Sequence, residues 1–528
     1  MPKLYFPLLL ALGIALAWKP LSGYDDFWAH AAVGRWIWQH QSVPQHTLFL
    51  WSVDPPVRWI AHSWLTQLTY YGFMALGGEH YGPYIALLFG MLVVTLTFIW
   101  MWSLWTRRAP VTSLMALIFA LAISVASSRF RVRPELFSAL FLTCLLAFLI
   151  GWSSQRRAGD DTAHGHNRKM MLPALGVVPL FALWANFHGA VALGLMILTA
   201  TVLCDLLQDD LWGGRFPSPA WRLALICLLC VGAIFVNPYG AEYWQALKPV
   251  TSRTFAEIDE WKPFWKHPAL GYDFAFGALM LLYLAFLAWS GNPQRRWSHL
   301  AWLLLIGAAF LGARRHLWSL ALICLAVMAY NAASLDTRYM WRSWCRLWSR
   351  RNTEPADEQS DESPPMPVSG RRALHSVVVI FLLIGIARSI KHDVLPLHAV
   401  SRYLPTRAAR SLDEHNLQGR MFNDYEDSSY LHWHFAERRP RYIDLLNAYP
   451  DQLLMDYFDV LEANARGRRL LDQLNISHIF LRRHKKTETL ARLKNYLNKS
   501  PRWERIYAQA DATIWRRRAK TVDSPQRR

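Results

Sequence analysis

Apolar residues along this chain come in blocks rather than in an even amphipathic rhythm. Block after block approaches the roughly 20 residues that a helix needs to cross a hydrocarbon core about 30 Å thick. The blocks run from Leu4 to Ile390 and then stop. The first, Leu4 to Trp18, follows Lys3 and carries Ala15-Leu16-Ala17 near its end. It reads as an uncleaved first span, with a cleavable signal peptide as the alternative. The others run approximately Pro83 to Trp105, Val111 to Ser127, Glu135 to Trp152, Met171 to Ala185, Phe187 to Leu207, Trp221 to Val236, Tyr272 to Ser290, Leu300 to Leu311, Leu317 to Ala333 and Leu374 to Ile390. The pattern predicts an all-α polytopic membrane domain over residues 1–390, with about eleven transmembrane helices.

Residues 19–82 break the pattern, and their placement makes them a first external loop. Phe27, Ala31, Gly34 and Ile37, with Trp38, recur at helical spacing; so do Ile60, Trp64, Leu68 and Tyr71. Two amphipathic helices lying along the outer interface fit those positions. Within a cytoplasmic loop at 334–373, Asn352 to Gly370 is acidic, rich in Pro and Ser and poor in apolar residues, so it is expected to be a disordered linker. Residues 391–528 alternate strand-like runs (Met421 to Tyr425, Arg441 to Leu445, His478 to Leu481) with helical ones (Asp451 to Leu474, Glu488 to Leu497) and close in a hairpin of Trp503 to Tyr507 and Ala512 to Arg516. They predict a small C-terminal soluble α/β domain on the external side.

Composition sharpens this reading. The formal charge of +19 is carried mainly between the apolar blocks and in the tail, with no nucleic-acid module, so lipid is the expected partner rather than nucleic acid. The 27 Trp residues, many near block ends, fit indole rings at the headgroup level. All six cysteines, Cys144, Cys204, Cys227, Cys230, Cys324 and Cys345, fall in spans or in the cytoplasmic loop, leaving no disulfide framework outside. With the N-terminus inside, Arg107/Arg108, Arg156/Arg157/Arg168/Lys169, Arg215, Arg295/Arg296 and the run Arg338 to Arg351 fall on cytoplasmic connections, as the positive-inside rule requires.

Two clusters break that rule, and they direct attention to chemistry. Arg129, Arg131 and Arg133, and separately Arg314 and Arg315, fall in external turns. Snorkelling or structural ion pairs account for such residues; so does an anionic phosphate at the outer surface, since a guanidinium donates bidentately to phosphate oxygens. Asp25 and Asp26 stand at the exit of the first span. One aspartate there is explained as a helix cap. Two acids followed by Trp28 and His30, with Arg35 a turn later and His62 on the second loop helix, point to a general base, because partial loss of hydration raises a carboxylate's proton affinity toward that range. Asn186, His188 and Asn237 recur at external span ends. Singly each reads as a turn or cap; with the arginines they predict a polar cavity opening outward. His30, His62, His188 and His316 share that side, but no HxxxH or paired-acid spacing accompanies them, so no metal site or other cofactor is assigned.

The chain resembles a group of bacterial multispanning proteins allied to the GT-C superfamily of membrane glycosyltransferases, which includes the protein O-mannosyltransferases and the lipid A aminoarabinose transferase. The resemblance rests on Asp26-Phe27-Trp28-Ala29-His30 with Gly34 and Ile37; on Trp59, His62, Trp64 and Leu65; and on Arg133-Pro134-Glu135-Leu136-Phe137. It continues through Trp184 to Gly189, Asn237-Pro238-Tyr239-Gly240, Glu260-Trp261, Arg314-Arg315, Phe422-Asn423-Asp424-Tyr425, Tyr430-Leu431 and Ile443-Asp444. It implies an inverting enzyme of the bacterial inner membrane that takes a sugar from a polyprenyl-phosphate donor to an envelope glycan, lipid or protein acceptor. Asp26, or as second choice Asp25, then deprotonates the acceptor hydroxyl. Arg133, Arg314 and Arg315 stabilise the departing lipid phosphate, and His30 and His62 orient the acid or the phosphate. The chain departs from the group at Ser63, at Gln45-His46 and at Ser428-Ser429, which leaves dependence on a divalent metal open. A lipid-linked glycan transporter, a surface-polysaccharide polymerase or ligase, and a non-catalytic envelope subunit are the alternatives.

Overall fold

The computed structural model describes residues 2–158, 176–211, 220–247, 259–266, 272–335, 368–390, 398–482 and 488–518. Most of the acidic linker expected over Asn352 to Gly370, the start of the span at Met171, and Cys345 lie outside the described residues. The chain is mostly helical and divides into two compact units.

The first unit takes in Met1–Lys19, Leu87–Lys248 and Ala256–Leu397. Five helices among the described residues are long and apolar enough to cross a membrane: Trp64–Thr106, Glu135–Ala158, Val191–Leu211, Tyr272–Ser290 and Val368–Ser389. Shorter apolar helices include Ser113–Ser127, Val177–Phe187, Ala220–Ile234 and Trp297–Gly312. At the centre lies the helix Leu317–Tyr330, buried along its whole length. It is apolar on every side, as a helix enclosed by others must be. It packs against Ser113–Ser127, Glu135–Ala158, Tyr272–Ser290 and Trp297–Gly312. On the helix Val368–Ser389, by contrast, Val377, Ile380, Phe381 and Ile384 are exposed, a face suited to hydrocarbon rather than water.

The second unit joins Pro20–Ala86 to Pro249–Phe255 and His398–Arg528, so the first loop packs with the tail. The tail holds a four-stranded sheet of β1 (Arg420–Asn423), β2 (Ile476–Arg482), β3 (Trp503–Ala508) and β4 (Ala512–Arg517), in the order β1-β2-β4-β3. The pair β1/β2 is parallel, and the pairs β2/β4 and β4/β3 are antiparallel. Val53 of the loop is buried in the same apolar cluster as Phe422, Ile443, Ile479 and Trp515 of the tail. The indole of Trp51 donates to the Met421 carbonyl at 3.0 Å.

The structure changes three expectations. The run Arg441 to Leu445 is not a strand of the sheet; it pairs with the loop, where Arg441 N donates to Phe49 O at 2.8 Å and Trp51 N to Arg441 O at 3.0 Å. Its partner lies some 390 residues away in sequence, which no local pattern reveals. The single helix expected over Asp451 to Leu474 is two, Asp451–Leu461 and Ala465–Gln473, because Asn464 caps the second by accepting from Gly467 N at 2.8 Å. The second loop helix and the next span form one run, Trp64–Thr106, kinked at Gly78 (φ 61°), a backbone conformation that glycine reaches without penalty.

Candidate active site

In the second unit, the helix Asp26–His40 begins at Asp26, with Asp25 in the capping position. The Asp25 side chain does not cap. It is buried, and its Oδ2 accepts from both Ser22 N and Ser22 Oγ at 2.7 Å, which closes the turn before the helix. Asp26 is only half-buried, so of the two carboxylates it is the one that solvent and ligands reach. Ser429 Oγ donates to Asp25 O at 2.6 Å and accepts from Ala29 N at 2.9 Å. A hydroxyl from the tail is thus inserted where the first i→i−4 bond of the helix would close.

His30 lies one turn on, half-buried, with Gln67 Nε2 at 3.3 Å from its Nδ1. His62 is half-buried just ahead of the helix Trp64–Thr106. The two loop helices approach closely at Gly34, where a Cβ would lie 2.0 Å from Gln67 O. Arg35 does not join this group: its guanidinium stacks 4.4 Å over Trp433 and donates to the Trp433 carbonyl at 2.6 Å.

The first unit gathers a second group. Arg129 binds Glu135 at 2.5 Å and Glu260 at 3.0 Å, while Arg133 binds the same Glu260 oxygen at 2.5 Å. Burial opposes the charge of Glu260, but Arg133, Arg129 and Arg315 overcome it and hold the carboxyl well below the usual carboxylate range. The guanidinium of Arg315 stacks 4.1 Å over Trp261. Burial, with Arg315 and Arg129 adding to it, lowers His316 to about 4, so that imidazole is neutral at pH 7. Arg314 begins the same short 3-10 turn, Arg314–His316. Arg129, Arg131, Arg133, Arg314 and Arg315 stand against Glu135 and Glu260 in these turns, a clear excess of positive charge.

The remaining predicted residues make local bonds. Asn186 Nδ2 donates to Ala182 O and to Val236 O, each at 2.8 Å, which ties its motif to that of Asn237. Asn237 Oδ1 accepts from Tyr239 N at 2.8 Å and closes a turn. Ser138 Oγ stands 2.7 Å from His188 Nδ1 and accepts from Trp184 Nε1 at 2.8 Å. Phe137 stacks against Phe187, with ring centroids 4.3 Å apart. The sequence motifs around Arg133, Trp184, Asn237 and Glu260 are therefore bonded into one framework. Among the described residues no three His, Cys, Asp or Glu side chains form a metal-holding group.

Sequence reasoning missed a buried relay in the tail. Arg441 Nη2 bonds His432 Nδ1, and His432 Nε2 stands 3.1 Å from Asp444 Oδ2. Arginine can only donate, so Nδ1 accepts and Nε2 carries the proton that Asp444 receives. The signal available was the run Arg441-Tyr442-Ile443-Asp444, which carries two of the three members; His432 lies nine residues before Arg441, and no pattern joins it to them.

No family model matches the chain, and no curated protein sequence does. Solved structures do. The oligosaccharyltransferase of Archaeoglobus fulgidus in its apo form is similar over 91% of this chain and 69% of its own, at 12% identity and a TM-score of 0.56. ArnT from Cupriavidus metallidurans bound to undecaprenyl phosphate is similar over 99% of both chains, at 14% identity and a TM-score of 0.51. The archaeal oligosaccharyltransferase AglB in complex with an inhibitory peptide and a dolichol-phosphate gives 13% identity and 0.55. Both proteins are GT-C glycosyltransferases. The fold is GT-C-like.

Proposed function

We propose that the chain is an inverting glycosyltransferase that moves a sugar from a polyprenyl-phosphate donor to an envelope glycan, lipid or protein acceptor at the external face of a bacterial inner membrane. The observation that carries this reading is the chain-long likeness to a structure holding undecaprenyl phosphate. On this reading the shorter apolar helices also cross the membrane, bringing the spans to about eleven, and the second unit lies outside. Asp26 acts as general base on the acceptor hydroxyl, with His30 and His62 orienting it. Arg133, Arg314 and Arg315 bind the lipid phosphate, whose negative charge grows as the glycosidic bond breaks, so their contribution is to rate as well as binding. Glu260 keeps the guanidinium groups from repelling one another before the donor arrives, and Asn186, His188 and Asn237 hold the surrounding turns.

The test is incubation of the purified chain with labelled polyprenyl-phosphate sugars and envelope extract. Asp26→Asn is expected to lower transfer by about 10²- to 10⁴-fold while undecaprenyl-phosphate binding stays near wild type. Arg133→Ala and Arg314→Ala are expected to weaken that binding. Transfer by Asp26→Asn at the wild-type rate, or binding indifferent to both arginine variants, overturns the assignment.

A further inference from the structure

A cavity of about 490 Å³ in the first unit is lined by Leu104, Arg107, Arg108, Gly151, Ser154 and Tyr330, with alanines completing the wall. It belongs to neither group described above. Its lining comes from the C-terminal ends of the helices Trp64–Thr106 and Leu317–Tyr330, the turns just after them, and the second half of the helix Glu135–Ala158. On the helix Glu135–Ala158, sixteen residues separate Glu135 from Gly151, a rise of about 24 Å. That distance is close to the thickness of a hydrocarbon core. The cavity and the Arg129–Glu135–Glu260 group therefore sit near opposite ends of one spanning helix.

The lining is amphipathic. Leu104, Gly151 and the alanines offer it apolar surface, an apolar floor for a hydrocarbon chain, and Arg107 and Arg108 bring two guanidinium groups to the same cavity. Arg108 is fixed in place, donating through Nη1 to Leu104 O at 2.8 Å and through Nη2 to Ser154 Oγ at 3.1 Å. Tyr330 is held by its bond to Ser153 O at 3.4 Å. Arg107 is exposed, and its side chain makes no hydrogen bond among the described residues. Helix C-termini contribute negative partial charge here, so an anion is held only if it comes within reach of both guanidinium groups.

We propose that this cavity binds the phosphate of an anionic glycerophospholipid, with Arg107 and Arg108 on the headgroup and the acyl chains running over the apolar floor. Basic pockets between spanning helices take lipid headgroups of this kind. The site recognises a phosphate anion with an apolar body attached. A free phosphate satisfies the guanidinium groups but leaves the floor uncovered.

The experiment uses the full chain in vesicles of phosphatidylcholine containing a minority of photoactivatable phosphatidylglycerol. Cross-linked peptides are mapped by mass spectrometry, with inorganic phosphate as competitor. Cross-links are expected in the stretches around Gly151 and Ala332. The double variant R107Q/R108Q is expected to lose about tenfold or more of them, in keeping with two basic residues at a charged interface. Ala333→Trp keeps both arginines but fills the cavity, and is expected to lose the cross-links at an unchanged melting temperature. Cross-links that persist in both variants overturn the proposal. Displacement by millimolar inorganic phosphate also overturns it, since it marks the site as one for the free anion.

Discussion

The hydroxyl of Ser429 lies 2.6 Å from the carbonyl oxygen of Asp25, four hundred residues away in sequence, and also receives the amide of Ala29. The residue that begins the helix, Asp26, is bracketed by those two contacts. Ser429→Ala removes the inserted hydroxyl and lets Ala29 N close directly on Asp25 O, so the loss of stability is expected to be about 1 kcal/mol. The accompanying tightening of the first turn shifts Asp26, and kcat should fall more than KM rises. Thermal unfolding and transfer kinetics of the variant check both parts.

Gly34 permits no side chain. A Cβ there meets the Gln67 carbonyl oxygen at 2.0 Å and its carbon at 2.5 Å, both backbone atoms that cannot rotate away. Gly34→Ala is expected to force the two loop helices apart at a cost of about 3 kcal/mol and to break the contact between His30 and Gln67. A melting curve of the full chain measures the first effect, and the ring chemical shifts of His30 by NMR the second.

Glu260 ties acid sensitivity to the arginine group. Its carboxyl is held well below the ordinary value of 4.5 in the folded chain. The stabilisation is therefore fully present above that ordinary value and is lost as pH falls through the folded one. Glu260→Gln is expected to cost about 2 to 3 kcal/mol at pH 7, since it leaves Arg129 and Arg133 short of a counter-charge. It should also flatten the acid limb of the stability profile. Unfolding midpoints taken from pH 7 down to pH 3 distinguish the two chains.

His432 gives the opposite kind of dependence. Burial, aided by Arg441, lowers it from 6.5 to about 4 in the folded chain. The unfolded chain therefore takes up a proton between those values that the folded one refuses. Stability is expected to be complete above pH 6.5 and to fall by up to about 3 kcal/mol as pH drops to 4. His432→Gln can still accept from Arg441 and donate to Asp444, but does not titrate. Its unfolding midpoint should vary less between pH 7 and pH 4.5, leaving the parallel contribution of His478, which burial also lowers to about 4.

The sequence made the local features legible. Tyr272–Ser290 and the closing hairpin fall where hydrophobic periodicity puts them, because each depends on neighbours within a few residues. The arginine-rich turns stood out by breaking a charge rule. What escaped was every relationship between distant segments: Glu260 with Arg129 and Arg133, Phe49–Trp51 with Arg441, Ser429 with Asp25. Their partners lie more than a hundred residues apart, and nothing in a periodic pattern names a partner. Asn464 is a different case. It carried a capping signal three residues before Gly467, and the long helix concealed it.

The second unit draws its core from both ends of the polypeptide. Phe49, Trp51 and Val53 are translated long before Phe422, Arg441 and Trp515, against which they are finally enclosed. During synthesis these aromatic side chains wait while the helices of the first unit are made, and the late arrival of the tail sets when the acidic helix start becomes rigid. A polypeptide stopped at Leu397 would be left with bare aromatic side chains in its first loop, and the tail released by itself would lack Val53 and Trp51 from its interior.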